Sequence, residues 1–557
     1  FNPMVIQKLG MQYCRGKGGQ ENFCPLPGKQ YVHIFIKRGR AFLDYLVDKE
    51  DTSFVISLIF AGKKLQSQPC KACCDPIFDQ GFVFEVDGFA DCEILGSPLG
   101  MRIIFLENKL HSNILLSSTS IDLRDLFVMK IPSKSYPLEL PGLGHESLQI
   151  LGMLELTVSL VPSLMNQLSE STLTTIREIE KMKWNESFHL FLMYVKSWHQ
   201  EFISISVEHS YRNVCVLAVD ELGRKRDLCS FITPLFTGRL IETPSQALWY
   251  VSLIPEEKRN VTVYPLVCFS SSQFWCSIDA LLAKKTGTCM EHDILLCSIL
   301  LGFKLETYVY VGENKSFGIQ SGVLSISSTG DHHVIILWDW KSGCVICYNS
   351  GDDNNKLDEL EIHCLFSHCK FFANIQVNTT MRSISWDLKN EGQWKALNRE
   401  LIAQHDAMYI PAQLSPASLD DITLSNTLEG ILRKEVVRYR ESLELPTSLD
   451  PQLSYTLGVA LAHYESASCL GHEINNQEVN ECVYNCVRPG HMFMGYPHHF
   501  RGILPNDILQ SCLESEECLS IVQCHNDQTH HGVRVRVYSY PENILSIWVM
   551  IACCCVQ

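Results

Sequence analysis

Along residues 31–162, hydrophobic and polar positions alternate in short runs separated by turn residues. Segments 32–36, 54–60, 82–86, 102–106 and 154–160 carry the pattern, which predicts an all-β sandwich. Over residues 169–205 the period lengthens to that of a helix, and Ile176, Ile179, Met182, Leu190, Leu192 and Val195 form an apolar stripe read as a packing surface. Further on, Ile294, Leu295, Leu296, Cys297, Ile299, Leu300 and Leu301 are apolar on nearly every face, which predicts a helix packed on several sides. Thr288 and Glu291 have the spacing of a capping box, so this helix starts near Cys289, and Gly302 is suited to end it. Residues 306–311 and 332–338 then read as strands, and Trp340 to Gly343 as a hairpin turn leading into a third strand over 344–349.

The last block opens with a helix on which Leu428, Ile431, Leu432, Val436 and Tyr439 share a face. The interleaved Arg433, Lys434, Arg438 and Arg440 form a basic face, either solvated or a strip for a partner. It closes with the period-two run Val533 to Val537 and an apolar strand over 544–556. The expected architecture is α+β and multidomain: a β-sandwich over 28–162, a helical linker over 163–210, a central α+β domain over 211–410 and a C-terminal α+β domain over 411–557. A stretch rich in Pro, Ser and Asp at 411–421 marks the last boundary.

Composition narrows the function classes. Of the 557 residues 46% are hydrophobic and 19% charged, which sets wholesale disorder aside. The net charge of -16 argues against a nucleic-acid binder that must neutralise phosphates. The 25 cysteines are scattered, many inside apolar runs, as expected of reduced core thiols in a cytosolic protein. No leader segment is read, no run reaches the roughly 18 to 20 apolar residues of a membrane span, and no Gly-rich phosphate loop stands out. No cofactor and no metal are expected.

Candidate chemistry centres on Cys289. A thiol at a helix N-terminus feels the positive end of the dipole, which favours thiolate. His333 and Asn349 are expected on adjacent antiparallel strands, opposite each other to within about a residue. Cysteine, histidine and asparagine in this order are the parts of a Cys-His-Asn triad in a papain-like or transglutaminase-like domain. Packing roles for the same residues, a capped-helix core thiol and a strand-end imidazole, stay open. In the sandwich, Asp44, Asp48, Asp51, Asp87 and Asp91 are candidate calcium ligands or ordinary loop acids, and Cys70 and Cys73 form a lone CxxC that reads as a thiol pair.

The run Cys74-Asp-Pro-Ile-Phe-Asp-Gln-Gly-Phe-Val-Phe looks like a strand entry of a C2 domain. Three stretches, over 216–251, 275–312 and 486–552, together resemble the family of the seventy-six-kilodalton centrosomal protein, with Pro489-Gly-His-Met-Phe-Met-Gly-Tyr-Pro-His-His-Phe and the ending from Val535 to Met550 as the most specific motifs. The resemblance implies a C2 domain, a transglutaminase-like or peptidase-like domain, and a C-terminal domain particular to the family. It also implies a centrosomal and centriolar regulator that limits centriole duplication, acting through the centriolar coiled-coil protein of one hundred and ten kilodaltons. The family's cysteine, histidine and acidic positions fall on Cys289, His333 and Asn349. The family pattern Gly-Asp-Cys-Glu-Asp-His-Ala is kept only at Gly287, Cys289 and His292, and its Pro-His-Ala-Trp is replaced by Asp331-His332-His333-Val334-Ile335. A binding domain derived from a peptidase is the expectation, with an active thiol hydrolase and a C2-mediated membrane or ciliary tether as alternatives.

Overall fold

The computed structural model describes residues 11–14, 29–47, 52–86, 100–109, 112–128, 133–162, 169–257, 274–316, 318–329, 332–348, 359–398, 413–472, 491–502, 508–525 and 529–556. The N-terminal sandwich comprises β1 (Met11–Cys14), β2 (Gln30–Arg40), β3 (Thr52–Phe60), β4 (Lys63–Gln66), β5 (Cys70–Lys71), β6 (Ile77–Val86), β7 (Gly100–Lys109), β8 (Ser112–Asp122), β9 (Ser133–Pro141) and β10 (Ile150–Val161). One sheet runs β1-β6-β2-β10-β9, the other β4-β3-β7-β8, with β5 on β3. Phe54, Ile56, Leu58, Phe60, Ile103 and Phe105 face Ile34, Phe82, Phe84 and Leu156 across the interior.

Strands β3 and β7 are hydrophobic on consecutive residues, and the fold supplies the reason. Their outward side chains Val55, Ile59, Ile104 and Leu106 pack on Cys276, Ala280 and Ala283 of the next domain. A strand buried on both faces loses the alternation expected of a half-wet sheet.

Helix α1 (Glu170–Ile205), 36 residues long and roughly 54 Å at 1.5 Å per residue, joins the sandwich to the central domain. Near its start Arg177 bridges Asp122 and Asp125, and Glu180 accepts from Arg124. Near its end Val195, Trp198 and Phe202 enter the central core. The face that packs is Leu173, Phe191, Val195, Trp198 and Phe202. The stripe expected from the sequence is corrected here: Ile179, Met182 and Leu190 face solvent, because both domains lie on the other side of the helix.

The central domain contains the short hairpin β11 (Leu217–Val219) and β12 (Lys225–Asp227), then α2 (Pro244–Ser252), α3 (Ile278–Lys284) and α4 (Cys289–Gly302). Its sheet, in the order β16-β15-β14-β13-β17-β18-β19, uses β13 (Thr307–Asn314), β14 (Gly318–Thr329), β15 (His332–Asp339), β16 (Cys344–Tyr348), β17 (Leu360–Phe366), β18 (Phe371–Asn374) and β19 (Trp394–Ala396). The sequence reading lacked β14, which lies between the two strands it recognised. Helix α4 is buried from Glu291 to Leu300, as its unbroken apolar run requires. Gly302 is its last residue, with the cap at Phe303 at φ -78° and ψ 3°. Glycine is required there because a Cβ would strike the Leu235 carbonyl.

The C-terminal domain contains α5 (Asp421–Ser442), α6 (Pro451–Leu470), β20 (His491–Arg501), α7 (Ile508–Leu513), α8 (Glu516–Gln523), β21 (His530–Tyr540) and β22 (Ile544–Val556), with strand order β20-β22-β21. The outer edge of β21 is closed by side chains. The amides of Val533, Val535, Val537 and Ser539 donate in turn to Ser454, Glu429, Ser425 and Asp421 on the two long helices. An edge strand with its donors occupied cannot recruit another strand there. Arg440 corrects the expected basic face: it is buried and donates to the carbonyls of Val522, Cys524 and Pro446. Lys64 of the sandwich pairs with Glu542 at 2.7 Å, both nearly buried, and Trp249 of α2 donates to Glu465 of α6 at 3.0 Å, so the domains pack on one another. Among the described residues no helix is long and apolar enough to cross a membrane, and the described cysteines from Cys70 to Cys555 are free thiols.

Candidate functional site at the start of α4

The capping box forms as its spacing predicts. Thr288 Oγ1 accepts from the Glu291 amide at 3.4 Å, and Glu291 accepts from the Thr288 amide at 2.8 Å. The second Glu291 oxygen accepts from the Cys276 amide at 2.8 Å, which ties α4 to the segment before α3. Gly287 pairs with residues 255–257 through a parallel bridge, with its amide donating to the Pro255 carbonyl at 3.1 Å and its carbonyl accepting from the Glu257 amide at 2.7 Å. That bridge carries Glu256 to the first turn of α4.

Cys289 is half-buried at this turn. Its thiol donates to Glu256 Oε1 at 2.6 Å, and Lys341 Nζ donates to its sulfur at 3.1 Å. Lys341 and Glu256 are themselves 3.5 Å apart. Burial and the Glu256 hydrogen bond push the Cys289 thiol up, against the opposing pull of the Lys341 ammonium. Burial would raise the Glu256 carboxyl, but Cys289 and Lys341 outweigh it and hold it below the usual range. The helix dipole favours thiolate, yet desolvation and an adjacent carboxylate win.

Behind the thiol lies a dry polar cluster. His292, fully buried, places Nδ1 2.7 Å from the Thr288 carbonyl and Nε2 3.0 Å from the Ile254 carbonyl, and its ring stacks on Trp340 at 4.1 Å. Asp293 accepts from Ser321 at 2.5 Å and from the Trp340 indole at 2.9 Å. Burial raises its carboxyl to about 7. Although His292 is three positions from Cys289, both its nitrogens are engaged by backbone carbonyls.

The structure does not bring His333 to Cys289. The Cys289 sulfur meets the turn after β15, at Lys341, whereas His333 lies at the opposite end of that strand, in register with Ser328. From His333 to Trp340 the strand runs roughly 23 Å at 3.3 Å per residue, farther than an imidazole can span. Strand β14 accounts for the difference, since an extra antiparallel strand between β13 and β15 reverses β15 and puts its last residues, not its first, beside the helix start. Asn349 lies outside the described residues. Of the calcium candidates Asp44 is exposed in the short 3-10 turn Leu43–Tyr45, and Asp48, Asp51, Asp87 and Asp91 lie outside the described residues. Sequence reasoning missed Lys341 and Glu256. Lys341 sits in the hairpin turn already recognised; Glu256 gave no signal, because only the bridge to Gly287 brings it near.

A cavity of about 240 Å³ lies close by, lined by Asn113, Leu115, Leu143, Glu257, Lys284 and Thr286. It sits on the seam between sandwich and central domain, and Cys289 does not line it.

A C2-type sandwich, a domain with a cysteine at a helix start on an antiparallel sheet and a closing α+β domain define a multidomain protein of the C2 and peptidase-like class. Family models agree domain by domain: the CEP76 C2 domain over residues 25–166, the CEP76 peptidase-like domain over 273–397 and the centrosomal protein of 76 kDa C-terminal domain over 417–556. The chain is 32% identical over 559 aligned residues to the centrosomal protein of 76 kDa of Xenopus tropicalis, covering 95% of this chain and 83% of that protein. It is 30% identical to the Homo sapiens protein of the same name, covering 95% and 84%. A more distant similarity, 25% over 289 residues, links 50% of the chain to 19% of the human protein CC2D2B. The chain belongs to the centrosomal protein of 76 kDa family.

Proposed function

We propose that the chain is a non-enzymatic centrosomal regulator that limits centriole duplication and uses its peptidase-like domain to hold a protein partner. One observation carries the non-enzymatic part: the groups bonded to the Cys289 sulfur are a carboxylate and an ammonium. A general base should have a pKa near that of the proton it takes. Here the carboxyl is held down and the thiol pushed up, so the proton stays on sulfur. Family membership supports a place at the centrosome and centriole. The centriolar coiled-coil protein implied by the resemblance is the first binding partner to test. The deciding experiment replaces the endogenous protein with Cys289→Ala in cells and counts centrioles. Full restoration of centriole number is expected; failure by a folded, centrosomal Cys289→Ala protein would make thiol chemistry the function instead.

A second role, membrane tethering by the sandwich, is favoured by an exposed apolar tip. Leu43, Leu46 and Val47 are 66%, 69% and 79% exposed, and Ile77 is 73% exposed. The two loops are joined by the Phe42 amide donating to the Cys74 carbonyl at 3.0 Å. Pelleting with anionic liposomes tests this role, and no pelleting with or without calcium removes it.

A further inference from the structure

The solvent face of α1 carries a pattern that the rest of the fold leaves unused. Ile179, Met182, Leu190 and Met193 are 46%, 70%, 56% and 57% exposed. At 100° per residue these four and Glu186 fall within about 80° of one another, roughly opposite the face that packs on the two domains. Exposed apolar side chains scattered singly need no explanation, but two pairs of them aligned on one helix face do.

The stripe is symmetric about Glu186. Met182 and Leu190 lie four residues to either side, and Ile179 and Met193 seven. A sequence symmetric about its middle is matched by its own reverse, which is what a two-fold interface between identical helices requires. In an antiparallel pair centred on Glu186, Ile179 meets Met193 of the second copy and Met182 meets its Leu190. The flanking charges match as well. Glu178 and Lys196 lie along the same border of the stripe, and the two-fold brings Glu178 of one copy to Lys196 of the other, about 3 Å apart along the axis at 1.5 Å per residue. This pairing occurs twice. Glu186, at the centre, meets Glu186 of the second copy, with Lys183 of each copy flanking the two carboxylates, whereas a register shifted by seven residues would press it onto Ile179 or Met193. Glu178, Lys183, Glu186 and Lys196 are exposed and enter no ion pair among the described residues.

We infer that α1 is a self-association surface through which two copies of this chain pair antiparallel about Glu186. Both domains lie behind the helix, so among the described residues its outer face is left to solvent. The contact is a single helix pair, below the area of a standard stable interface, and the expected dissociation constant is on the order of 10 µM.

Sedimentation velocity of the full chain from about 1 to about 100 µM, a range that brackets such an affinity, tests the inference. A concentration-dependent dimer is expected. Met182→Lys with Met193→Lys should leave a monomer with unchanged circular dichroism. Should that variant fold poorly, exposed charge reversals give an independent readout. Glu178→Lys alone and Lys196→Glu alone should each weaken the dimer by about tenfold, and the two combined should restore it to within about threefold. A monomer at the top of the concentration range, whether the stripe is bare or covered by another part of the chain, overturns the inference. So does a dimer indifferent to these substitutions, or a combined reversal weaker than either single one.

Discussion

Lys341 Nζ stands 3.1 Å from Cys289 Sγ, a contact between a hairpin turn and a helix start that lie far apart in the chain. Glu256, on the other side, accepts the thiol proton at 2.6 Å. The two charges oppose each other at the sulfur: the ammonium favours thiolate, the carboxylate and burial favour thiol, and the balance falls to the thiol. Iodoacetamide labelling of Cys289 followed by mass spectrometry should therefore rise only above the ordinary thiol range, about pH 8.5. Glu256→Gln should move the labelling curve to lower pH and Lys341→Met to higher pH. A wild-type thiol that labels fully at about pH 6.5, well below that range, or a curve that ignores both substitutions, would contradict this balance.

Asp293 gives a pH dependence of stability with a definite sign. Its folded carboxyl titrates near 7, because burial outweighs the hydrogen bonds from Ser321 and Trp340, whereas an unfolded aspartate titrates near 3.9. The folded state thus binds the proton more tightly, and this stabilising contribution is fully present below about pH 4 and lost as pH rises through about 7. His292 acts in the opposite sense, since burial lowers its pKa and its cost appears as pH falls. Asp293→Asn isolates the carboxyl: the melting temperature of the variant minus that of wild type should climb from about pH 4 to about pH 7 and then level off. A flat difference curve would refute the assignment.

Arg440 was expected on a wet face and is instead a buried cross-brace. It donates to the carbonyls of Cys524 at 2.9 Å and Pro446 at 2.6 Å, to Thr447 at 3.1 Å, and to the Val522 carbonyl. Arg440→Met leaves those carbonyls without donors in a dry site, which should cost about 3–5 kcal/mol. Arg440→Lys should recover less than half of that, because a single ammonium cannot reproduce the planar fork. Urea denaturation measures both. A loss under about 1 kcal/mol for Arg440→Met, the worth of one ordinary hydrogen bond, would mean the side chain is not braced as described.

What the sequence revealed, and what it concealed, divides along physical lines. Local signals were legible: the Thr288 and Glu291 box, the all-round apolar α4, the period-two strand from Val533 and the hairpin at Trp340 to Gly343 all appear where their patterns place them. Features decided by docking were not. The helical period of α1 is visible, but whether Leu190 or Phe191 faces inward depends on where two other domains lie. Arg440 has the chemistry of a surface residue and is buried among carbonyls from two separate segments, at Pro446 and at Val522 and Cys524. The site suffered most, because the position of His333 relative to Cys289 depends on β14, a strand of mixed polarity (Gly-Ile-Gln-Ser-Gly) that no alternation marked.

Glu465 is the polar joint between the central and C-terminal domains. Its carboxylate is buried with no cation paired to it among the described residues, and it accepts from the Trp249 indole at 3.0 Å, the Trp548 indole at 2.6 Å, the Ser546 hydroxyl at 2.6 Å and the Tyr540 hydroxyl. Four N–H and O–H donors around two oxygens, with the Cys469 thiol at 3.8 Å as a fifth, require an acceptor on both sides, which a carboxylate provides and an amide does not. Glu465→Gln keeps the shape but turns an NH₂ toward donors on one side, so it should cost about 2–4 kcal/mol despite being nearly isosteric. Because Trp249 belongs to α2 and Trp548 to β22, the loss should appear at the joint before global unfolding. Hydrogen exchange of α2 and β22 should speed up in Glu465→Gln while the sandwich strands β2 and β10 keep wild-type protection. Uniform acceleration across all domains, or none, would show that Glu465 does not hold the joint.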